Sequence, residues 1–301
     1  MSLGRKLKGY LQLMRPHNLV AVVITTSIGW LTVSALHKTH EVLNPIYPVL
    51  TVALVAAGGY VINDYFDVEV DKVNKAYRPI PSGVVGRGEA LVLSLALGAA
   101  GVALSLTSGP YTFVFAAFSA ALTYLYSYRI KEWGFAGNLV VAFEGAASII
   151  YGGLASAEYV GSLTYATSSL LPALYAFLLL LGREIVKTIE DYKADELRNV
   201  KSLPRVYGVK AAAYVASLLL ACVVAISALP YLMGYGIPYL ALTAGTDLIL
   251  MYSIRELMKL PRTEDPEVEA GKLRSVLKVA IFLGSLAFLV DLLVKLLSYK
   301  G

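Results

Sequence analysis

Nine stretches of this chain are apolar for long enough to cross a lipid bilayer, and that limits the fold more than any other feature. A helix advances about 1.5 Å per residue, so crossing a hydrocarbon core roughly 30 Å thick takes about 20 residues. The candidate spans are 18–36, 46–64, 89–107, 111–128, 135–155, 168–188, 210–229, 235–255 and 276–297. Pro110, Gly134 and Pro230 fall in the breaks, where turns are expected. The expectation is an all-α, polytopic membrane protein of nine helices, forming one integral-membrane domain over 1–301. A hydrophobic content of 57% and a mean hydropathy of +0.65 agree with this and exclude an ordinary soluble domain.

Charge placement orients the spans. With nine crossings, 23 of the 26 Lys and Arg residues fall on one side, leaving Lys38, Lys295 and Lys300 on the other. Basic loops stay cytoplasmic, so the N-terminus is expected inside and the C-terminus outside, in the cell membrane. One missed span would scramble the split. The net charge of +5 is explained by attraction to anionic lipid and needs no nucleic acid. The lone Cys222 excludes a disulfide framework, and His17, His37 and His40 show no zinc spacing. No cleavable signal is expected from the basic, amphipathic start.

Two polar stretches interrupt this apolar pattern at span ends. The first, Asn63 to Gly83, reads NDYFDVEVDKVNKAYRPIPSG. At about 100° per residue, Asn63, Asp64, Asp67 and Asp71 share an arc of about 100°. Like charges three and four residues apart repel, so such a face calls for a cation. Its ligands are all oxygen, which suits Mg²⁺ or Mn²⁺ rather than Zn²⁺. A solvated acidic helix end is the plainer alternative.

The second stretch, Gly182 to Pro204, also follows an apolar run. Helical spacing gathers Arg183, Lys187, Glu184, Asp191 and Asp195 on one face. Carboxylates suit metal ions, while Arg and Lys suit phosphate oxygens directly. Two such clusters describe a site for a diphosphate bridged by Mg²⁺.

The N-D-x-x-D-x-x-x-D of Asn63 to Asp71, the R-P-I-P-S-G of Arg78 to Gly83 and the D-x-x-x-D of Asp191 and Asp195 resemble the paired signatures of the UbiA superfamily of intramembrane prenyltransferases. The resemblance covers nearly the whole chain. It implies helices around a central cavity open to the cytoplasmic side. Asp64, Asp67, Asp71, Asp191 and Asp195 would be catalytic through bound Mg²⁺, with Asn63 a further ligand. It also implies diphosphate contacts from Arg78, Arg183 and Lys187, an Asn18 facing the cavity from R-P-x-N, and a Tyr126 and Lys131 near the diphosphate. Two departures are visible: Tyr126 and Lys131 are one residue off the Tyr-x-x-x-Lys form, and Thr188 stands where an extra Asp is common.

The run Arg183-Glu184-Ile185-Val186-Lys187 is similar to the archaeal branch, in which geranylgeranyl diphosphate alkylates the hydroxyl of geranylgeranylglyceryl phosphate during ether-lipid synthesis. Aromatic acceptors such as 4-hydroxybenzoate are the alternative within the superfamily, and a proton-coupled transporter is the alternative outside it. No obligate protein partner is implied. Glu144 and Asp247 lie inside spans and are functional candidates on that ground alone, or else structural groups paired with tyrosine. Asp291, nearer the outer end of its span, is expected to snorkel.

Overall fold

The computed structural model describes residues 3–39, 45–197 and 200–298; His40, Arg198 and Lys300 lie outside them. Among the described residues every regular element is a helix. A short amphipathic α1 (Leu3–Met14) precedes α2 (Pro16–Leu36) and α3 (Ile46–Phe66). The short α4 (Val68–Asn74) leads through a turn to α5 (Arg87–Ser105), α6 (Pro110–Tyr128) and α7 (Phe135–Tyr159). Then come α8 (Leu170–Glu190), the short α9 (Tyr192–Leu197), α10 (Leu203–Ile226), α11 (Leu229–Leu232), α12 (Ile237–Leu257) and α13 (Pro266–Ser298).

Eight helices among the described residues are long and apolar enough to cross a membrane. The expected span 111–128 forms a helix in its place, α6, but is not one of the eight. Tyr111, Tyr124, Tyr126 and Tyr128 dilute its hydropathy.

Two boundaries move for local reasons. The 260–271 segment, expected as a surface loop or short cap, holds one 3₁₀ turn at Leu260–Arg262, and α13 then starts at Pro266. Pro is favoured in a first helical turn, acidic Glu267 and Glu269 suit the N-terminus, and Lys272 pairs with Glu269 at 2.7 Å. α10 starts at Leu203, ahead of the apolar run, and bends at Gly208, whose φ of 85° only glycine adopts freely.

With no hydrophobic force between helices in lipid, packing rests on small residues that let backbones approach. Gly29 on α2 and Gly152 on α7 meet in this way: a Cβ on Gly29 would lie 1.9 Å from the Ile149 carbonyl oxygen, and one on Gly152 would lie 2.0 Å from that of Thr26. Ser94 on α5 donates to the Gly58 carbonyl of α3 at 2.8 Å. A second apolar cluster, Leu13, Val61, Val68, Ile80, Val85 and Ala90, pins α1 against the end of α3 and the turn after α4. Lys6 on α1 also pairs with Glu89 on α5 at 2.6 Å.

Asp291 does not snorkel. It is 1% exposed and accepts hydrogen bonds from the Gly236 and Tyr239 backbone N–H groups, satisfying the orphan donors at the start of α12.

Gly29→Ala should destabilise the bundle by about 3 kcal/mol, the upper end for overpacking, because the obstacle is backbone rather than a flexible side chain. Gly98→Ala, where an added Cβ meets nothing within 4 Å, is the control and should leave the melting temperature in detergent unchanged.

Candidate functional site

α3 ends at Phe66 and Asp67 joins it to α4 with φ −82° and ψ 0°. The helical path nevertheless continues, since the Asp67 N–H donates to Asn63 and the Asp71 N–H to Asp67, at 3.0 and 2.8 Å. The i, i+4 register of the acidic residues therefore survives the junction, but their side chains divide into two groups.

Asp64 and Asp71 turn inward and are 5% and 3% exposed. Arg78 binds both through Nη1, at 2.9 Å to Asp64 and 2.6 Å to Asp71. Arg15 adds a bond to Asp64 at 2.5 Å, and Lys75 approaches Asp71 at 3.9 Å. Buried carboxylates need such partners. Arg78 is carried by a tight turn in which Ser82 N–H donates to the Arg78 carbonyl and Val85 N–H to that of Pro79. Asp67 turns the other way: one oxygen pairs with Lys131 at 2.5 Å and the other accepts from Asn63 Nδ2 at 3.0 Å. Lys131 sits in a 3₁₀ turn that ends near Gly134, where a Cβ would meet the Lys201 carbonyl oxygen at 2.0 Å.

At the end of α8, Glu184 is 5% exposed and is gripped by Arg183, its chain neighbour, with Lys187 at 3.8 Å. Asp191 caps α8 and Asp195 lies on α9. Thr188 spends its hydroxyl on the Ile185 carbonyl at 2.7 Å.

Between α2, α3, α6, α7, α8 and α13 lies a cavity of about 750 Å³. Asn18, Asn63, Tyr126, Arg183 and Lys187 line it, so five of the expected site residues come together there. Asp64, Asp67, Asp71, Arg78, Lys131, Asp191 and Asp195 do not line it; the first five form the ion-pair layer beside its polar end. Arg15 and Glu184 also line the cavity and were not singled out as site residues from sequence. The signals were available: Arg15 opens the R-P-x-N pattern, and Glu184 shares the face of Arg183 and Lys187. Arg15 adopts φ 50°, a left-handed conformation uncommon for a side-chain-bearing residue, and lies 5.4 Å from the Tyr60 ring centroid. Away from the polar end the walls are apolar, with Val52, Val55, Phe115 and Leu180. Glu144 lines the cavity, whereas Asp247 lies outside it, accepting a 2.7 Å bond from Ser227.

The donors of the two acidic motifs are all oxygens, which suits a hard divalent cation. Among the described residues no three His, Cys, Asp or Glu side chains converge as they would around an ion, because Arg78 and Lys131 hold the carboxylates. A carboxylate offers about four acceptor positions, so Asp64, Asp67 and Asp71 retain capacity beyond these partners.

Residues 22–277 match the UbiA prenyltransferase family. The chain belongs to that family. A digeranylgeranylglyceryl phosphate synthase of Hyperthermus butylicus is 41% identical over 294 residues, covering 95% of this chain and 97% of its own. One from Ignicoccus hospitalis is 42% identical over 303 aligned residues, covering 99% and 96%. A solved digeranylgeranylglyceryl phosphate synthase structure matches with a TM-score of 0.78 at 33% identity, over 95% of this chain and 98% of that one. A UbiA homologue of Archaeoglobus fulgidus, bound to GPP and Mg²⁺, shares the fold with a TM-score of 0.63 at 18% identity, over 93% and 99%. This UbiA member is an enzyme, a prenyltransferase, and a multi-pass membrane protein. The transporter alternative gives way to that finding.

Arg78→Ala should destabilise the protein by about 3 kcal/mol, because it strips the shared partner from two buried carboxylates. Thermal unfolding in detergent reads this directly. Lys72→Ala, whose partner Glu69 is exposed, should have no measurable effect.

Proposed function

We propose that this chain transfers a polyprenyl group, of geranylgeranyl type, from its allylic diphosphate to the hydroxyl of geranylgeranylglyceryl phosphate, forming an archaeal ether-lipid precursor. The observation that carries this reading is the cavity itself: a cationic end with Arg15, Arg183 and Lys187 opens onto a long apolar wall. A prenyl diphosphate has that same division between polyanionic head and apolar tail. Identities of 41 and 42% over nearly full length to relatives named digeranylgeranylglyceryl phosphate synthase favour the lipid-phosphate acceptor over an aromatic one.

In this reading the chain is one domain of nine spans, with the basic loops and the site at the cytoplasmic face of the cell membrane. α6 supplies the ninth span, its tyrosines facing the cavity and the interface. Arg183, Lys187 and Arg15 bind diphosphate oxygens, and Arg78 and Lys131 hold the motif carboxylates in place. Asn63, Asp64, Asp67 and Asp71 around the α3–α4 junction, with Asp191 and Asp195 at the end of α8 and on α9, would hold Mg²⁺, and Mn²⁺ has the same ligand preference. When bound, Mg²⁺ supplies Lewis-acid withdrawal of charge from the leaving diphosphate. The apolar walls keep water from the allylic carbon as its bond to oxygen breaks. The Tyr60, Tyr126 and Tyr151 rings lining the cavity can steady positive charge on the prenyl group through their faces. Asn18 is available to orient substrate oxygens from the start of α2.

The test is an acceptor competition in detergent with Mg²⁺ and radiolabelled geranylgeranyl diphosphate. Product is expected with geranylgeranylglyceryl phosphate and not with 4-hydroxybenzoate; the reverse would make the chain an aromatic prenyltransferase. EDTA should stop turnover and Mg²⁺ restore it. Asp67→Ala and Asp191→Ala should each lower turnover by at least about 100-fold with little change in melting temperature. Normal turnover in Asp67→Ala would refute the metal assignment.

A further inference from the structure

Glu144 is a carboxyl group in the middle of α7 that makes no hydrogen bond or ion pair among the described residues, and its Oε1 is buried without a partner. The other carboxylates within spans each hold at least one partner. Asp291 accepts from the Gly236 and Tyr239 N–H groups and Asp64 from Arg15 and Arg78, while Asp247, outside the cavity, accepts from Ser227 through Oδ2 and leaves Oδ1 unpartnered. A carboxyl with a purely structural role would be satisfied in the same manner, because an unpaired polar group in a dry interior is costly. Glu144 instead lines the cavity.

Its depth can be read from two neighbours. Gly145, the next residue, abuts α8 at Leu180, where an added Cβ would lie 2.3 Å from Leu180 Cδ1. Glu184, between Arg183 and Lys187, is one helical turn further along α8, so Glu144 lies roughly 5 Å to the apolar side of the cationic layer. On the other flank Ser148, one turn beyond Glu144 on α7, donates to Thr25 Oγ1 of α2 at 2.7 Å. Glu144 is therefore level with the Ala21 and Val22 wall, inside the cavity and clear of the motif carboxylates. A prenyl diphosphate whose head lay among Arg183 and Lys187 would direct its esterified carbon inward, toward the level of Glu144.

We propose that Glu144 is a catalytic residue that receives the hydroxyl of the acceptor and takes its proton. This rests on the prenyl-transfer reading of the cavity. The C1–O bond of the donor breaks and its electron pair leaves with the diphosphate. A lone pair of the acceptor oxygen forms the new bond to C1. The hydroxyl proton passes to the Glu144 carboxylate, which then releases it to diphosphate or water. The other carboxylates near the polar end are less suited to the task. Glu184 is held by Arg183 and Lys187, and Asp67 by Lys131 and Asn63, so each would have to give up partners it already holds to receive a hydroxyl.

The test compares wild type with Glu144→Gln and Glu144→Asp in detergent with Mg²⁺. Three readouts are taken: transfer to geranylgeranylglyceryl phosphate, the Kd of the non-transferring donor analogue geranylgeranyl thiolodiphosphate, and the melting temperature. Glu144→Gln keeps the shape and loses the base, so transfer should fall by at least about 100-fold while the analogue Kd stays within about twofold. Glu144→Asp should recover part of the loss. Transfer by Glu144→Gln within about threefold of wild type would overturn the proposal, as would a loss of analogue binding or melting temperature that parallels the loss of transfer. A wild-type protein that transfers nothing to a hydroxyl acceptor would instead sink the prenyl-transfer reading on which the proposal stands.

Discussion

Two aspartates buried at the end of α3 and in the short α4 that follows must be neutralised, and much of the polar end of this protein is organised by that need. Asp64 and Asp71 are almost fully excluded from solvent, and a single guanidinium from Arg78 serves both. Carboxylates buried to this degree lose most of their hydration, so the ion pairs and hydrogen bonds must do what water would do elsewhere. The turn that carries Arg78 is in turn fastened by Ile80 and Val85, which bury against α1 and α3. An amphipathic N-terminal helix far from the acidic residues in sequence thereby becomes part of their support.

The same requirement separates the two faces of the first motif. Asp64 and Asp71 are locked inward with arginine, while Asp67 reaches the opposite way to Lys131 and Asn63. Asn63 reaches the cavity and Asp67 is its immediate partner. The ion-pair layer thus adjoins the cationic end of the cavity at Arg15, Arg183 and Lys187. Beyond it the cavity becomes apolar within a turn or two, interrupted by Glu144. Charge is concentrated at one end of the bundle and thins out along it, which is the gradient an amphiphilic substrate would follow.

Much of this was legible in the chain. Spans were readable because crossing a bilayer imposes a length, and eight of the nine expected runs reappear as long apolar helices. The span 111–128 was readable as a helix, but its tyrosines make it less apolar than the others. The i, i+4 register of Asn63, Asp67 and Asp71 was readable because helical geometry is local. The start of α13 at Pro266 was not, because its first turns are polar and are held by Glu269–Lys272 and by Glu190 of α8 pairing with Arg274. The structural duty of Asp291 was equally hidden, since the N–H groups it caps lie more than fifty residues away.

By itself the sequence determined the class of fold, the approximate places of the long apolar helices, and which residue types gather at their ends. These depend on hydrophobic length and helical period, both properties of neighbours along the chain. Only the tertiary structure decided how the acidic side chains divide between Arg78 and Lys131, that Arg15 belongs at the polar end, and that Glu144 faces the cavity while Asp247 does not. Those outcomes depend on which helices pack together and at what depth, set by close approaches such as Gly29 against α7 and Gly145 against Leu180.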